Sequence, residues 1–420
     1  MTDLSATKFG TFLRFSYSGN IYEGLFIHFD GTLVTVKLSN GYNIVIPVKS
    51  MGLLESRIEE NGNPSPKMQA VSTVQTQGNS TKKVSLLATG GTIASKVDYK
   101  TGAVSPSQDV SFISDRVRGI QVNAETIDNI LSENITPEKW TSMAKSIKNG
   151  LDENDGCVVF HGTDTMSYTA SAISFMFSSQ TGPIIFVGSQ RSSDRPSSDA
   201  FLNAEGAIHM ATTDFGEVGI AMHGGMSDSK VSIHRAVRAR KMHTSRRDAF
   251  RSLGEKEVGN YESGKVTMNS PYRKAGDHNE ILTRLEPAVS LIYFYPSFSP
   301  EDFGRAVEGK KAAIVMGTGL GHVSHSLMPV ISEAVRNGKK IMMTSQCLNG
   351  AVNLNVYSTG RELLRAGVIP LRNMLPEVAL VKAMYVLANF DDDQFTDMMQ
   401  LNFRGEIIER EYAGSFEELI

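Results

Sequence analysis

The chain opens with short stretches in which apolar and polar residues alternate: Thr11–Tyr17, Ile21–His28, Leu33–Lys37 and Tyr42–Pro47. Ser-Gly-Asn, Asp-Gly and Asn-Gly turns separate them, the residue types that let a strand double back on its neighbour. The pattern predicts a small β-barrel over residues 1–58. Residues 59–83 carry Asn, Ser, Thr, Gln, Lys and Pro with few apolar side chains, too few to bury the surface that ordering requires, and they read as a linker.

From residue 84 onward the pattern changes to apolar runs at α/β spacing: Val84–Ala88, Gly156–Phe160, Pro183–Val187, Glu217–Met222, Ala288–Tyr295, Ala312–Met316 and Lys340–Thr344. Amphipathic stretches lie between them. In Met166–Phe177 the residues Met166, Ala170, Ile173 and Phe177 fall at helical intervals, which predicts a helix directly after a strand and a loop. Strands alternating with helices imply an α/β fold of two doubly wound parallel-sheet domains, whose ligands sit beyond the carboxyl ends of the strands. A polar stretch, Gly254–Asn279, is read as the divide between a larger domain, residues 84–275, and a smaller one, residues 280–390. Residues 391–420 start with Asp391-Asp392-Asp393 and then mix charged and apolar positions, predicting a C-terminal extension made of a helix followed by a short strand or arm.

Size and charge narrow the class. At 420 residues the chain exceeds one ordinary core, in agreement with two or three domains. A net charge of -3 gives no overall positive field, so an RNA partner would need a local patch or another subunit. The two cysteines, Cys157 and Cys347, lie in apolar runs that read as a buried strand or its end, which suggests neither a disulfide framework nor a cysteine metal site. The first thirty residues lack the apolar core of a signal peptide and no stretch reaches bilayer-spanning length, so a cytoplasmic protein without membrane contact is expected.

The candidate chemistry sits at strand ends. Val84–Ala88 runs into Thr89-Gly90-Gly91-Thr92-Ile93-Ala94-Ser95, a loop able to expose Thr92 to a ligand. Gly156–Phe160 runs into His161-Gly162-Thr163-Asp164-Thr165 just before the predicted helix, so backbone N–H groups, a hydroxyl and a carboxylate converge at a helix N-terminus. Taken alone, Thr163-Asp164-Thr165 also reads as ordinary helix capping. Two Gly-Thr loops on two strand ends weigh against coincidence. A threonine hydroxyl is a poor nucleophile and needs a positioned base, which a carboxylate and a lysine together can supply; Lys241 in Arg240-Lys241-Met242-His243-Thr244 is the candidate.

Ala88–Ser95, His161–Met166 and Arg240–His243 resemble, in order, the motifs of bacterial-type L-asparaginases, with the likeness running from about Val84 to Phe390. The resemblance implies two α/β domains of the L-asparaginase type with the site between them. It implies Thr92 as the nucleophile that forms an acyl-enzyme, Thr163, Asp164 and Lys241 as a second relay, and Tyr99 in a mobile lid assisting Thr92. Ser132 and Glu133 match the pair that holds the substrate's α-carboxylate and α-amino group, although Gln is common where Glu133 stands. Tyr357 and Leu320 are further departures, at positions where that family often has an acidic residue and Asn. The leading barrel, the linker and the tail Leu401–Ile407 resemble the D subunits of archaeal Glu-tRNA(Gln) amidotransferases. That likeness implies a glutaminase without a cofactor of its own, a homodimer core, and a partner, the amidotransferase's E subunit, which uses ATP and Mg²⁺ to activate the glutamate on mischarged tRNA(Gln).

Other motifs carry less. Gly304–Lys311 and Gly259–Val266 have the glycine spacing of a phosphate loop but lack the hydroxyl that holds Mg²⁺, and Gly317–Gly321 places its third glycine one position early for a dinucleotide site. Seven basic residues between Arg235 and Arg251 form a cluster that can touch phosphates, or simply pair with acidic neighbours. His322 and His325 have no obvious carboxylate or cysteine to complete a metal set and read as surface or interface histidines. Against the glutaminase reading stand a free-standing L-asparaginase with an added domain and a catalytically silent scaffold.

Overall fold

A computed structural model of the chain describes Leu4 and residues 7–8, 11–38, 43–57, 72–74, 82–90, 95–97, 104–106, 117–193, 195 and 197–415. The N-terminal module is a five-stranded antiparallel sheet, ordered Asn43–Pro47, Leu33–Leu38, Asn20–Phe29, Phe12–Tyr17, Gly52–Arg57. Its two edge strands are joined by the short 3-10 turn Val48–Ser50. In a flat sheet those edges would lie four strand spacings, roughly 19 Å, apart. The five steps from Pro47 to Gly52 span at most about 18 Å when fully extended, less with a turn, so the sheet has to curl as a barrel does. Leu13, Phe15, Val34, Val36 and Ile46 fill its interior. The fifth strand was not foreseen, because Gly52–Arg57 alternates only weakly.

The larger domain holds a nine-stranded mixed sheet. Five parallel strands form its centre, in the order Ile120–Thr126, Lys82–Ala88, Gly156–Phe160, Ile184–Val187, Val218–His223. Numbered along the chain, that order is 2-1-3-4-5. Gly156–Phe160 is buried on every residue, as a strand covered by helices on both faces must be. The helix Pro137–Glu153 covers one face through Trp140, Met143, Ala144, Ile147 and Leu151, one stripe at helical spacing. Burying each such side chain contributes roughly 1.5–3 kcal/mol.

Three antiparallel strands extend the sheet on one side: Lys230–Arg235, Gly259–Glu262 and Lys265–Met268. Within the stretch Gly254–Asn279, Gly259–Glu262 and Lys265–Met268 are thus strands of the larger sheet. On the other side Ser72–Val74 pairs antiparallel with Ile120–Thr126, so three residues of the expected linker are an edge strand.

The smaller domain has four parallel strands in chain order, Val289–Tyr293, Ala312–Gly317, Lys340–Ser345 and Ile369–Pro370. Its helix Pro300–Val307 starts with a capping box, Ser299 accepting from the Asp302 N–H at 3.1 Å while Asp302 accepts from the Ser299 N–H at 3.1 Å. The helix Pro376–Asn389 packs against both this sheet and the helix Met166–Met176 of the larger domain. One continuous apolar core therefore runs through both domains, from Leu87 and Phe175 to Ile314 and Val378.

The C-terminal extension contains the predicted helix, Phe395–Gln400, but among the described residues no strand follows it. The chain instead wraps back as an arm. Glu406 and Lys382 form a fully buried ion pair at 2.6 Å. The Glu406 carboxylate also accepts from the N–H groups of Phe403 at 3.0 Å and Arg404 at 2.6 Å, and the Lys382 ammonium stands 4.5 Å from the Phe403 ring centre. Cys157 is buried, and burial pushes its thiol pKa well up. Cys347, by contrast, is exposed in the loop after Lys340–Ser345 and not part of a buried strand.

Candidate active site

The strand order fixes where a ligand can bind. In a doubly wound sheet of order 2-1-3-4-5, the crevice opens where the chain reverses direction across the sheet, between strands 1 and 3. Those strands are Lys82–Ala88 and Gly156–Phe160, which feed the two Gly-Thr loops. Thr89 ties the loops together, its N–H and hydroxyl donating to the Phe160 carbonyl at 3.1 and 2.8 Å. Gly90 follows at φ +97°, where an added Cβ would come within 2.9 Å of the Ile130 carbonyl oxygen, so the tight turn requires glycine.

Thr163, Asp164 and Lys241 meet in space. The Lys241 Nζ donates to Thr163 Oγ1 at 2.8 Å and pairs with Asp164 Oδ1 at 2.8 Å, across 78 and 77 residues of sequence. Lys241 ends the strand Ala239–Lys241, which is held by pairing with Phe250–Ser252. The Lys241 side chain is 14% exposed and that of Asp164 70%, so the lysine stem is sheltered while the carboxylate opens toward solvent. Helix capping does not account for these side chains. Thr165, at the N-cap of Met166–Met176, makes no side-chain cap bond and donates instead to the Ser132 carbonyl at 2.7 Å.

Around this trio the backbone is packed too closely for side chains. A Cβ on Gly162 would fall 2.7 Å from Ser132 Cβ, placing Ser132, itself buried, directly against the Thr163 loop. A Cβ on Gly188, just past the strand Ile184–Val187, would fall 2.8 Å from Thr163 Cγ2. His161 is fully buried, which pushes its pKa down to about 4. Its Nδ1 lies 2.7 Å from the Gly162 carbonyl, an obligate acceptor, so the neutral ring carries its proton there. Glu133 is exposed on the same 3-10 turn as Ser132. Thr92 and Tyr99 lie outside the described residues.

Sequence reasoning missed Gly188 and the buried Asp199–Asn203 pair. Asp199 accepts from the N–H groups of Gln190 and Arg191, shaping the loop beside Thr163. The only available signal was a polar loop before the apolar run of the helix Ala200–Met210.

The basic cluster is consumed by internal pairing. Arg235 bonds Glu217 and Glu255, Arg247 bonds Asp228, and Arg246 and Arg251 both bond Asp248. Burial acts to raise the Asp248 pKa, but its two arginines outweigh it and hold the carboxyl at about 2. His325 does find a carboxylate, Glu362 at 3.4 Å, while His322 stacks edge-on with Tyr357. Among the described residues no group of three potential ligands is arranged to hold a metal ion, and no helix is long and apolar enough to cross a membrane.

A family model described as "Asparaginase, N-terminal" matches residues 83–274, and one described as "Glutaminase/Asparaginase C-terminal domain" matches residues 288–399. Among solved structures, the thermostable L-asparaginase from Thermococcus kodakarensis is 30% identical, with a TM-score of 0.72 over 78% of this chain and 99% of that one. Among curated proteins, the D subunit of the glutamyl-tRNA(Gln) amidotransferase of Thermoplasma volcanium is 47% identical over 94% of this chain and 96% of its own. That of Thermoplasma acidophilum is 46% identical over the same shares. The chain therefore belongs to the family of glutamyl-tRNA(Gln) amidotransferase D subunits, built on asparaginase-type domains.

Proposed function

We propose that this chain hydrolyses the side-chain amide of glutamine, or of asparagine, and passes the ammonia to a partner, the E subunit of the amidotransferase. That partner would use ATP and Mg²⁺ to convert Glu-tRNA(Gln) to Gln-tRNA(Gln). The observation that carries the reading is the contact of Lys241 with both Thr163 and Asp164 at the crevice of the larger sheet. In this scheme the Thr92 hydroxyl attacks the carboxamide carbon, its proton passing into the Thr163–Lys241–Asp164 relay. The C–N bond breaks, ammonia leaves with a proton, and water hydrolyses the resulting ester by the same route in reverse. Ser132 and Glu133 would hold the amino-acid end of the substrate, Tyr99 would close over it, and two copies of the chain would form the core of a cytoplasmic assembly.

Ammonia release from glutamine and asparagine is to be measured with the purified chain, and again with the partner, ATP and Glu-tRNA(Gln). The reading expects glutamine hydrolysis to rise when partner and charged tRNA are added. Full asparagine turnover by the chain alone, unaffected by the partner, would establish the free-standing asparaginase instead, and no release under any condition the silent scaffold. Gly162→Ala tests the substrate pair separately. Its methyl forces Ser132 to move at a cost of roughly 1–3 kcal/mol, and KM is expected to rise about tenfold with kcat less affected. An unchanged KM would remove Ser132 from the binding site.

A further inference from the structure

We infer that His223 is a positioning residue that sets the spacing between Thr163 and Lys241, an inference that rests on the amide-hydrolysis reading above. His223 ends the strand Val218–His223 and is fully buried. One ring nitrogen reaches the Thr163 side of the site. Nδ1 lies 2.5 Å from Asn203 Oδ1, and Asn203 Nδ2 donates to the Gly188 carbonyl at 3.0 Å and to Asp199 Oδ2 at 3.1 Å. Both of those are obligate acceptors, so the Asn203 amide can face only one way and His223 Nδ1 is the donor. Gly188 in turn is the backbone that lies against the Thr163 methyl group.

The other nitrogen reaches the Lys241 side. Nε2 lies 3.1 Å from Asp228 Oδ1, an acceptor it meets as a donor when both ring nitrogens carry protons. Asp228 pairs with Arg247 Nη1 at 2.5 Å, and Arg247 also donates to the Met226 carbonyl. Arg247 stands in the loop that leaves Lys241 and is closed by the Met242 N–H donating to the Ala249 carbonyl at 2.6 Å. The two arms meet again where Lys241 Nζ donates to Thr163 Oγ1 at 2.8 Å. The result is a closed circuit of contacts, with His223 as the bridge on the side away from the reacting groups. Opening it at His223 leaves Asn203 Oδ1 without its donor and frees the Gly188 and Arg247 loops to move independently. Displacements of an ångström between catalytic groups cost about a hundredfold in rate.

The test compares three variants in the full chain, assayed for glutamine amide hydrolysis under the conditions that give wild-type turnover. His223→Ala removes both arms. His223→Asn can place an amide N–H near Nδ1 and keep the arm toward Thr163, whereas His223→Gln can place one near Nε2 and keep only the arm toward Asp228. His223→Ala is expected to lower kcat about a hundredfold with KM held within about twofold. His223→Asn should restore part of that loss, because it keeps the donor to Asn203 Oδ1 while opening the bridge to Asp228, and His223→Gln less, because it leaves Asn203 Oδ1 without that donor. A rise in KM at constant kcat, equal behaviour of the Asn and Gln variants, or losses that simply follow melting temperature would each overturn the inference. If His223→Ala fails to fold, the Asn and Gln pair still decides. Lys241→Met serves as the control. Wild-type turnover there means that the relay reading itself has failed; an inactive Lys241→Met beside a His223→Ala of wild-type kcat means that only the role of His223 has.

Discussion

Lys241→Met is expected to lower amide hydrolysis by roughly 10²–10⁴-fold, the usual worth of a positioned proton-transfer group, while leaving the protein folded. The asymmetry follows from exposure. Methionine keeps most of the apolar stem and removes the ammonium that joins Thr163 Oγ1 to Asp164 Oδ1. The Asp164 side chain is 70% exposed, so water solvates the carboxylate once its partner has gone. An ion pair of that kind contributes only about 0–1 kcal/mol to stability. Under the proposed mechanism catalysis depends on the pair differently, because the Thr163 hydroxyl then loses the lysine that bonds its oxygen and links it to Asp164. Steady-state kinetics beside a thermal melt separate the two effects. Wild-type kcat/KM, or a melting temperature lowered as much as that of a core variant, would refute the assignment.

Lys382→Met should do the opposite, costing about 3–5 kcal/mol of local stability, the penalty for leaving a buried charge without its counterion. Both partners of this pair are fully buried. The carboxylate of Glu406 would remain among the N–H groups of Phe403 and Arg404 with no cation beside it. Lys382 also donates to the carbonyls of Met399 and Leu401, so its loss strips the bend that turns the chain back after Phe395–Gln400. Release of the arm is to be read as trypsin cleavage at Arg404 and Arg410 under increasing urea. A cleavage midpoint equal to that of the wild type would show the pair to be dispensable.

The contrast between these two lysines also marks what the sequence could disclose. Strand positions in the α/β region were legible because parallel strands buried on both faces are apolar throughout; Gly156–Phe160 was located to the residue and the helix at Met166 to within one. Ile120–Thr126 escaped because it interleaves Gln121, Asn123 and Glu125 with its apolar positions, and its parallel pairing with Lys82–Ala88 is a property of the sheet rather than of the segment. The antiparallel strands Gly259–Glu262 and Lys265–Met268 escaped because Gly254–Asn279 is rich in polar and turn-forming residues. Thr163, Asp164 and Lys241 stood out in separate motifs, but their meeting across 78 residues follows only from the strand order and the 3-10 turn Ala236–Arg238 that aims Lys241. Glu406, in a run of charged residues, gave no sign that it is buried: a charge looks the same in sequence whether water or Lys382 faces it.

The arm that carries Glu406 touches both domains. Arg404 donates to the carbonyls of Ser174 and Phe177, each at 2.7 Å, at the far end of the helix Met166–Met176 that follows the Thr163-Asp164 loop. Asn373 exchanges hydrogen bonds with the backbone of Ile408, the Gly350 N–H donates to Glu411 at 2.9 Å, and the Tyr412 N–H donates to the Gly254 carbonyl at 2.7 Å. These residues come after both sheets in the chain and emerge from the ribosome after them. Until they dock, the Lys382 ammonium has no counterion and the last turn of the helix Met166–Met176 lacks the arginine that its carbonyls accept from. The two domains therefore reach their final packing only once the segment carrying Arg404 and Glu406 has docked against them.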